Sequence, residues 1–137
     1  MIYHLSKNNR NIKGILDISG SKSESNRLLM LRKYSSDFKI TNLSRSDDTK
    51  TLIDALINRN KIIDINHAGT AMRFLLSYYA SKPNSEVILT GSDRMKNRPI
   101  GILVKALRDL GANIEYEGKE GYPPIKIIGK NLIDNEV

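Results

Sequence analysis

The sequence has no cysteine and no tryptophan. Without thiols there is no disulfide, no thiolate nucleophile and no cysteine-based zinc site. Histidine is almost as scarce: His4 and His67 are the only ones, too few for a histidine-built metal site without help from carboxylates. Phenylalanine is nearly absent too, with 2 residues, which leaves little to stack nucleobases. No apolar run approaches the roughly 20 residues needed to span a bilayer. The opening MIYHLSKNNRNIKG has neither the apolar stretch nor the cleavage pattern of a secretory signal. The expectation is a soluble cytoplasmic protein with no membrane partner.

Positive charge, in contrast, is abundant. Lys and Arg number 22 against 15 Asp and Glu, for a net charge of +7. That balance suits nucleic acid, acidic lipid or small anions, and does not choose among them. A length of 137 residues fits one compact domain or a large part of a longer chain. A chain of this size can bury roughly two-thirds of its unfolded surface, so a true core is expected.

Along the chain, strand and helix patterns alternate. Ile12–Ser19 is a β-branched stretch ending at Gly20, and Ser21 to about Tyr34 reads as a helix carrying Leu28, Leu29 and Leu31. Phe38–Leu43 reads as a short strand. Ser46 is a good N-cap, with Asp47 and Asp48 in the first turn, where carboxylates suit the helix dipole. Leu52, Ile53, Leu56 and Ile57 then make one apolar helical face. Lys61–Ile65 predicts a strand, Thr70 to about Ala80 a helix and Val87–Thr90 a buried strand. Ile100, Leu103, Val104, Leu107 and Leu110 recur at helical spacing between Pro99 and Gly111. Ile114–Tyr116 and Pro124–Ile128 close the pattern as strands. From Lys61 onward the order is strand, helix, strand, helix, strand, strand. Residues 12–65 form a shorter version of the same unit, a weak internal repeat.

Three junctions before helices share one chemical character. Gly20-Ser21-Lys22-Ser23-Glu24-Ser25-Asn26-Arg27 places hydroxyls and cations at a helix start. Unpaired N–H groups and the positive dipole end there can take an anion. Ser23 and Arg27 are four apart and share a face. The plainer alternative is a capping Ser21 with solvated cations. Asn66-His67-Ala68-Gly69-Thr70-Ala71-Met72-Arg73 offers a glycine that a ligand can approach closely, or simply a tight capped turn. Gly91-Ser92-Asp93-Arg94-Met95-Lys96-Asn97-Arg98-Pro99 sets cations ahead of a helix, against the dipole, which suggests either a bound anion or a surface charge run.

Taken together, GSKSESNRLLML, HAGTAMRF and LTGSDRMKNRPIGILVKALRDLGA occur in the order and spacing of EPSP synthases, and GYPPIKIIG resembles the stretch that follows. The chain resembles the N-terminal portion of that family, closest to its compact Bacteroidetes-like form. The resemblance implies an α/β (α+β) chain of βαβαββ units from the enolpyruvyl transferase fold, an inverse α/β barrel-like domain, here incomplete. It implies transfer of the enolpyruvyl group of phosphoenolpyruvate to shikimate 3-phosphate in the shikimate pathway, with no cofactor and no metal. It implies that Lys22 contacts both substrates and is the catalytic candidate. Ser23 and Arg27 would hold shikimate 3-phosphate, and Gly69 and Arg94 phosphoenolpyruvate, while Asp48, Thr70, Arg73 and Arg98 would support them. His67 stands where many members have Asn, and Phe74 where many have Pro. Members are roughly three times longer, and a C-terminal domain supplying further catalytic groups closes their site. The expectation is therefore a chain inactive alone. The alternative from another class is a non-catalytic anion- or RNA-binding basic domain, for which no RNA-binding signature is present and no nucleic-acid partner is expected.

Overall fold

Serines start three of the helices. The computed structural model describes residues 3, 4, 6, 13–35 and 37–133. Ser21 caps α1 (Lys22–Tyr34), its hydroxyl accepting from the Glu24 amide. Ser46 caps α2 (Asp47–Ile57) in the same way through Thr49. Ser92 caps the single turn α4 (Asp93–Lys96) through Met95. In each case the side-chain oxygen satisfies an N–H that the first turn leaves free. The remaining elements are β1 (Ile62–Asp64), α3 (Gly69–Ala80), β2 (Glu86–Thr90), α5 (Gly101–Asp109), β3 (Asn113–Tyr116) and β4 (Ile125–Ile128). The α5 helix stops where the sequence predicts, with Gly111 at φ 88 and the Ala112 amide folded back onto the Leu107 carbonyl at 2.8 Å.

The sheet has the order β1-β2-β4-β3. The strands β1 and β2 are parallel, with Asp64 opposite Thr90, and α3 makes the crossover between them. The other two pairings are antiparallel. The α3 helix covers the sheet with Met72, Leu75 and Leu76, all fully buried against the fully buried Leu89, Ile125 and Ile127. On its other side α3 meets α2, whose Leu52 is also fully buried. The core thus sits on both flanks of α3. Among the described residues, no helix is long and apolar enough to cross a membrane.

Two expected strands are absent. Ile12 lies outside the described residues, and residues 13–20 and 38–45 carry no strand. The two segments do approach each other: Asn42 Nδ2 donates to the Ile18 carbonyl at 3.3 Å, and Arg45 pairs with Asp17 at 2.6 Å. Asn42 adopts φ 52, which breaks an extended run and with it a regular ladder. β-branched composition alone does not make a strand without a neighbour in register. Ile15, Leu16 and Ile18 are consequently exposed.

Because α3 is shared by both halves of the core, a cavity in it is expected to be felt globally. Leu75→Ala should lower the unfolding free energy by about 2–5 kcal/mol, as one cooperative transition in urea denaturation followed by circular dichroism.

Candidate functional site

The helices α1 and α2 run side by side in the same direction. Near their starts, Lys22 Nζ donates to Asp48 Oδ2 at 3.3 Å and Thr49 Oγ1 donates to Asn26 Oδ1 at 2.8 Å. Near their ends, Lys33 Nζ donates to the Leu56 carbonyl at 3.0 Å. The α3 helix joins them with the same sense. Its last turn brings the Tyr79 hydroxyl to the Ala55 carbonyl at 3.3 Å and sets the Tyr78 ring edge-on to Tyr34, centroids 6.1 Å apart. All three N-termini therefore face one side of the molecule. It is the side to which the parallel strands β1 and β2 run, so the turns after both strands open there too. Each N-terminus carries about half a positive charge in free N–H groups. Three brought together make one rim that helix dipoles bias toward positive potential, a bias that Glu24, Asp47 and Asp48 in the first turns of α1 and α2 partly offset.

The expected site residues divide between two clusters on this rim. The first holds Lys22, Ser23 and Arg27 of α1 with Asp48 of α2. Lys22 and Asp48 are in contact, with side chains 49% and 19% exposed. A pair so open to water is worth about 0–1 kcal/mol, and Lys22 can leave it for a stronger anion. Arg27 is exposed and donates from Nη1 to the Ser23 carbonyl at 3.2 Å, which lays its guanidinium back along α1. Ser23 is exposed.

The second cluster holds Gly69, Thr70, Arg73, Arg94 and Arg98. The turns after β1 and β2 are tied together: the Asn66 carbonyl accepts from the Ser92 amide at 2.9 Å and from its hydroxyl at 3.3 Å. Arg73 donates to the Gly69 carbonyl at 3.0 Å and to the Pro99 carbonyl at 3.2 Å, joining the start of α3 to the segment before α5. The Arg98 guanidinium lies against Gly69, in the space that a Cβ there would occupy, with Cζ 2.7 Å from that position. Gly69 is buried and Thr70 half-buried. Arg94 and Arg98 are exposed.

The third junction differs from its sequence reading. The cations do not all oppose a helix dipole. Arg94 and Lys96 lie in the last turn of α4, where positive charge is favourable, and Asp93 occupies its first. Lys96 also pairs with Asp93 at 3.5 Å. Arg98 alone remains ahead of α5, whose N-cap Ile100 supplies no side-chain bond.

Asn26 and Thr49, absent from the expected site residues, link the first turns of α1 and α2 inside the protein. Their signal was a polar residue on a buried stripe: Asn26 precedes the core residue Leu29 by three positions, and Thr49 precedes the core residue Leu52 likewise. Tyr78 and Tyr79 serve packing. Burial pushes the Tyr79 hydroxyl above its ordinary pKa, with Tyr78 adding to the shift.

The glycines of the two clusters are expected to respond differently to a methyl group. At Gly20 a Cβ would strike the Asn42 carbonyl, a backbone atom in a turn that cannot swing aside. Gly20→Ala should therefore cost about 1–3 kcal/mol in urea unfolding. At Gly69 the nearest atoms to the Cβ belong to the Arg98 guanidinium, the far end of a flexible side chain. Gly69→Ala should cost less than about 1 kcal/mol, yet shift the Arg98 side-chain NMR signals as that group is displaced.

Comparison with known proteins matches this arrangement to one family. The family model described as EPSP synthase (3-phosphoshikimate 1-carboxyvinyltransferase) matches residues 55–136. A 3-phosphoshikimate 1-carboxyvinyltransferase of Bacteroides fragilis (strain YCH46) is 50% identical over 127 residues, covering 92% of this chain and 31% of that protein. One from Haemophilus influenzae (strain PittGG) is 37% identical over 155 residues, covering 92% and 36%. The solved EPSP synthase of Acinetobacter baumannii superposes with a TM-score of 0.73 at 20% identity, over 90% of this chain and 34% of that one, a likeness of fold. The chain thus spans about a third of the length of the relatives it matches.

Proposed function

The chain belongs to the EPSP synthase family, and on that premise we propose that its electropositive rim is one wall of an enolpyruvyl transferase active site. The shared direction of α1, α2 and α3 carries this reading. It turns three helix N-termini, with Lys22, Ser23, Gly69 and Thr70 on them, toward the same side. Shikimate 3-phosphate and phosphoenolpyruvate are both polyanions, the class of ligand that such a rim attracts. Ser23 and Arg27 hold the phosphate of shikimate 3-phosphate. Gly69, which carries no Cβ to block a ligand, and Arg94 hold phosphoenolpyruvate, with Asp48, Thr70, Arg73 and Arg98 in support. Lys22, hinged on a weak pair with Asp48, reaches both substrates.

The reaction in this reading is addition–elimination through a tetrahedral intermediate that expels phosphate. Lys22 and the arginines neutralise the anionic groups. A guanidinium fork matches two oxyanion oxygens at once. The general acid and base come from the remaining two-thirds of the enzyme, which closes the site over this wall from a C-terminal domain. Residues 61–128 make one βαβαββ unit, and the segment before it, whose two expected strands do not form among the described residues, supplies α1 and α2. The enzyme works in the cytoplasm and takes no cofactor, nucleic acid or membrane as partner. The family match favours this reading over a basic RNA-binding domain.

Two measurements test it. The 137-residue chain should show no turnover in a coupled phosphate-release assay; turnover would overturn the one-wall reading. Shikimate 3-phosphate should shift the amide signals of Ser23 and Arg27, and Lys22→Ala should weaken that binding about tenfold or more, as expected for loss of a charge-assisted contact. Shifts elsewhere with these residues silent would remove them from the site.

A further inference from the structure

The Asn26 side chain is fully buried and yet poorly served. Its Oδ1 accepts from Thr49 Oγ1 at 2.8 Å, while its Nδ2 finds no partner in the protein. Thr49 is also fully buried, and its hydroxyl lies 3.0 Å from that of the cap Ser46. Alongside, the Ser25 hydroxyl accepts from the Ser44 amide at 2.9 Å, and the Ser44 hydroxyl accepts from the Ser46 amide at 3.2 Å. A polar chain thus runs through the interior from the first turns of α1 to the cap of α2.

Such a chain is a poor way to gain stability. An unmade buried donor is a net loss, and two apolar side chains of the same shape would avoid it. What a hydrogen bond adds is distance and direction. Apolar helix faces tolerate small slides, whereas a 2.8 Å bond between two side chains does not. The bond also lies at a telling place. Asn26 is one helical turn beyond Lys22, and Thr49 directly follows Asp48.

We propose that the Asn26–Thr49 pair is a positioning device that fixes the separation and register of the α1 and α2 entrances and so holds Lys22 in place at the rim. Neither residue touches the ligand; both act through Lys22. The inference rests on the reading of Lys22 as an anion ligand, and its test is built to fail separately from that reading.

The decisive variant replaces both partners, Asn26→Leu with Thr49→Val, so that no polar group is left orphaned. It should be at least as stable as the natural chain in urea, while its affinity for shikimate 3-phosphate falls about tenfold, a coupling within the range seen for contacting residues. Thr49→Ser, which keeps the hydroxyl, should bind within about twofold of the natural chain by the same reasoning. In a Lys22→Ala background the double replacement should cost no further affinity. Unchanged affinity, or an equal loss with and without Lys22, would overturn the proposal. If the natural chain and Lys22→Ala both fail to bind at millimolar ligand, the ligand reading has failed instead. The pair is then judged by distances between spin labels on the first turns of α1 and α2. A longer or broadened distance in the double variant supports positioning, and an unchanged one overturns it.

Discussion

Three helices lying side by side with their dipoles aligned is an arrangement that electrostatics resists. Like ends repel, and each terminus adds about half a charge to its neighbours. Much of what is particular in this chain offsets that repulsion. Carboxylates sit at the shared N-terminal side: Glu24 in the first turn of α1, Asp47 and Asp48 in that of α2. At the opposite side Lys33 binds the Leu56 carbonyl, and Lys82 lies 5.4 Å from the Tyr78 ring centre beside the end of α3. Packing supplies the rest, since α3 buries residues against α2 on one flank and the sheet on the other. The α3 start itself has no acidic residue in its first turn and no side-chain cap. It is the one entrance of the three whose positive end is left unanswered by the protein.

That residue of positive potential separates the fold from the site. The core residues are interior and apolar and depend on no rim charge. The rim residues Lys22, Arg27, Arg94 and Arg98 are exposed and contribute little to stability. Substitution at the rim should therefore leave the fold unchanged. The same separation explains how a chain spanning 31% of its Bacteroides relative can have a well-packed centre and an open charged face.

Much of this was legible in the sequence, and the reasons for the exceptions are physical. Helices with a serine cap or a strict apolar period, such as α2 and α5, are encoded by neighbours within a few residues. The strands around Ile63, Leu89, Ile114 and Ile127 are buried on at least one face, and that leaves an alternating trace. Residues 13–19 and 38–43 leave the same trace, yet form no ladder, because pairing is non-local and Asn42 turns the chain out of register. The α4 turn is only four residues long, too short for periodicity to register. At the site, residue types pointed to anions from three separate motifs. Composition could not say how the motifs sit together, since that depends on α1 and α3 sharing one direction and on the turns after β1 and β2 being tied to each other.

The arginines of the second cluster take two distinct parts in that arrangement. Arg73 spends its guanidinium on the Gly69 and Pro99 carbonyls, acceptors at the start of α3 and just before α5. A ligand would have to displace both bonds to claim it, so Arg73 acts as a brace between two elements. Phe74, unlike a proline, keeps its backbone N–H, and α3 runs unbroken from Gly69 to Ala80. The brace is thereby anchored on a regular helix. Arg94 and Arg98 make no side-chain hydrogen bond or ion pair within the described residues. Arg98 instead rests on Gly69, using the volume left by the missing Cβ. The missing side chain and the guanidinium are thus parts of one contact, which ties the segment before α5 to the start of α3 a second time, beside the Arg73 brace.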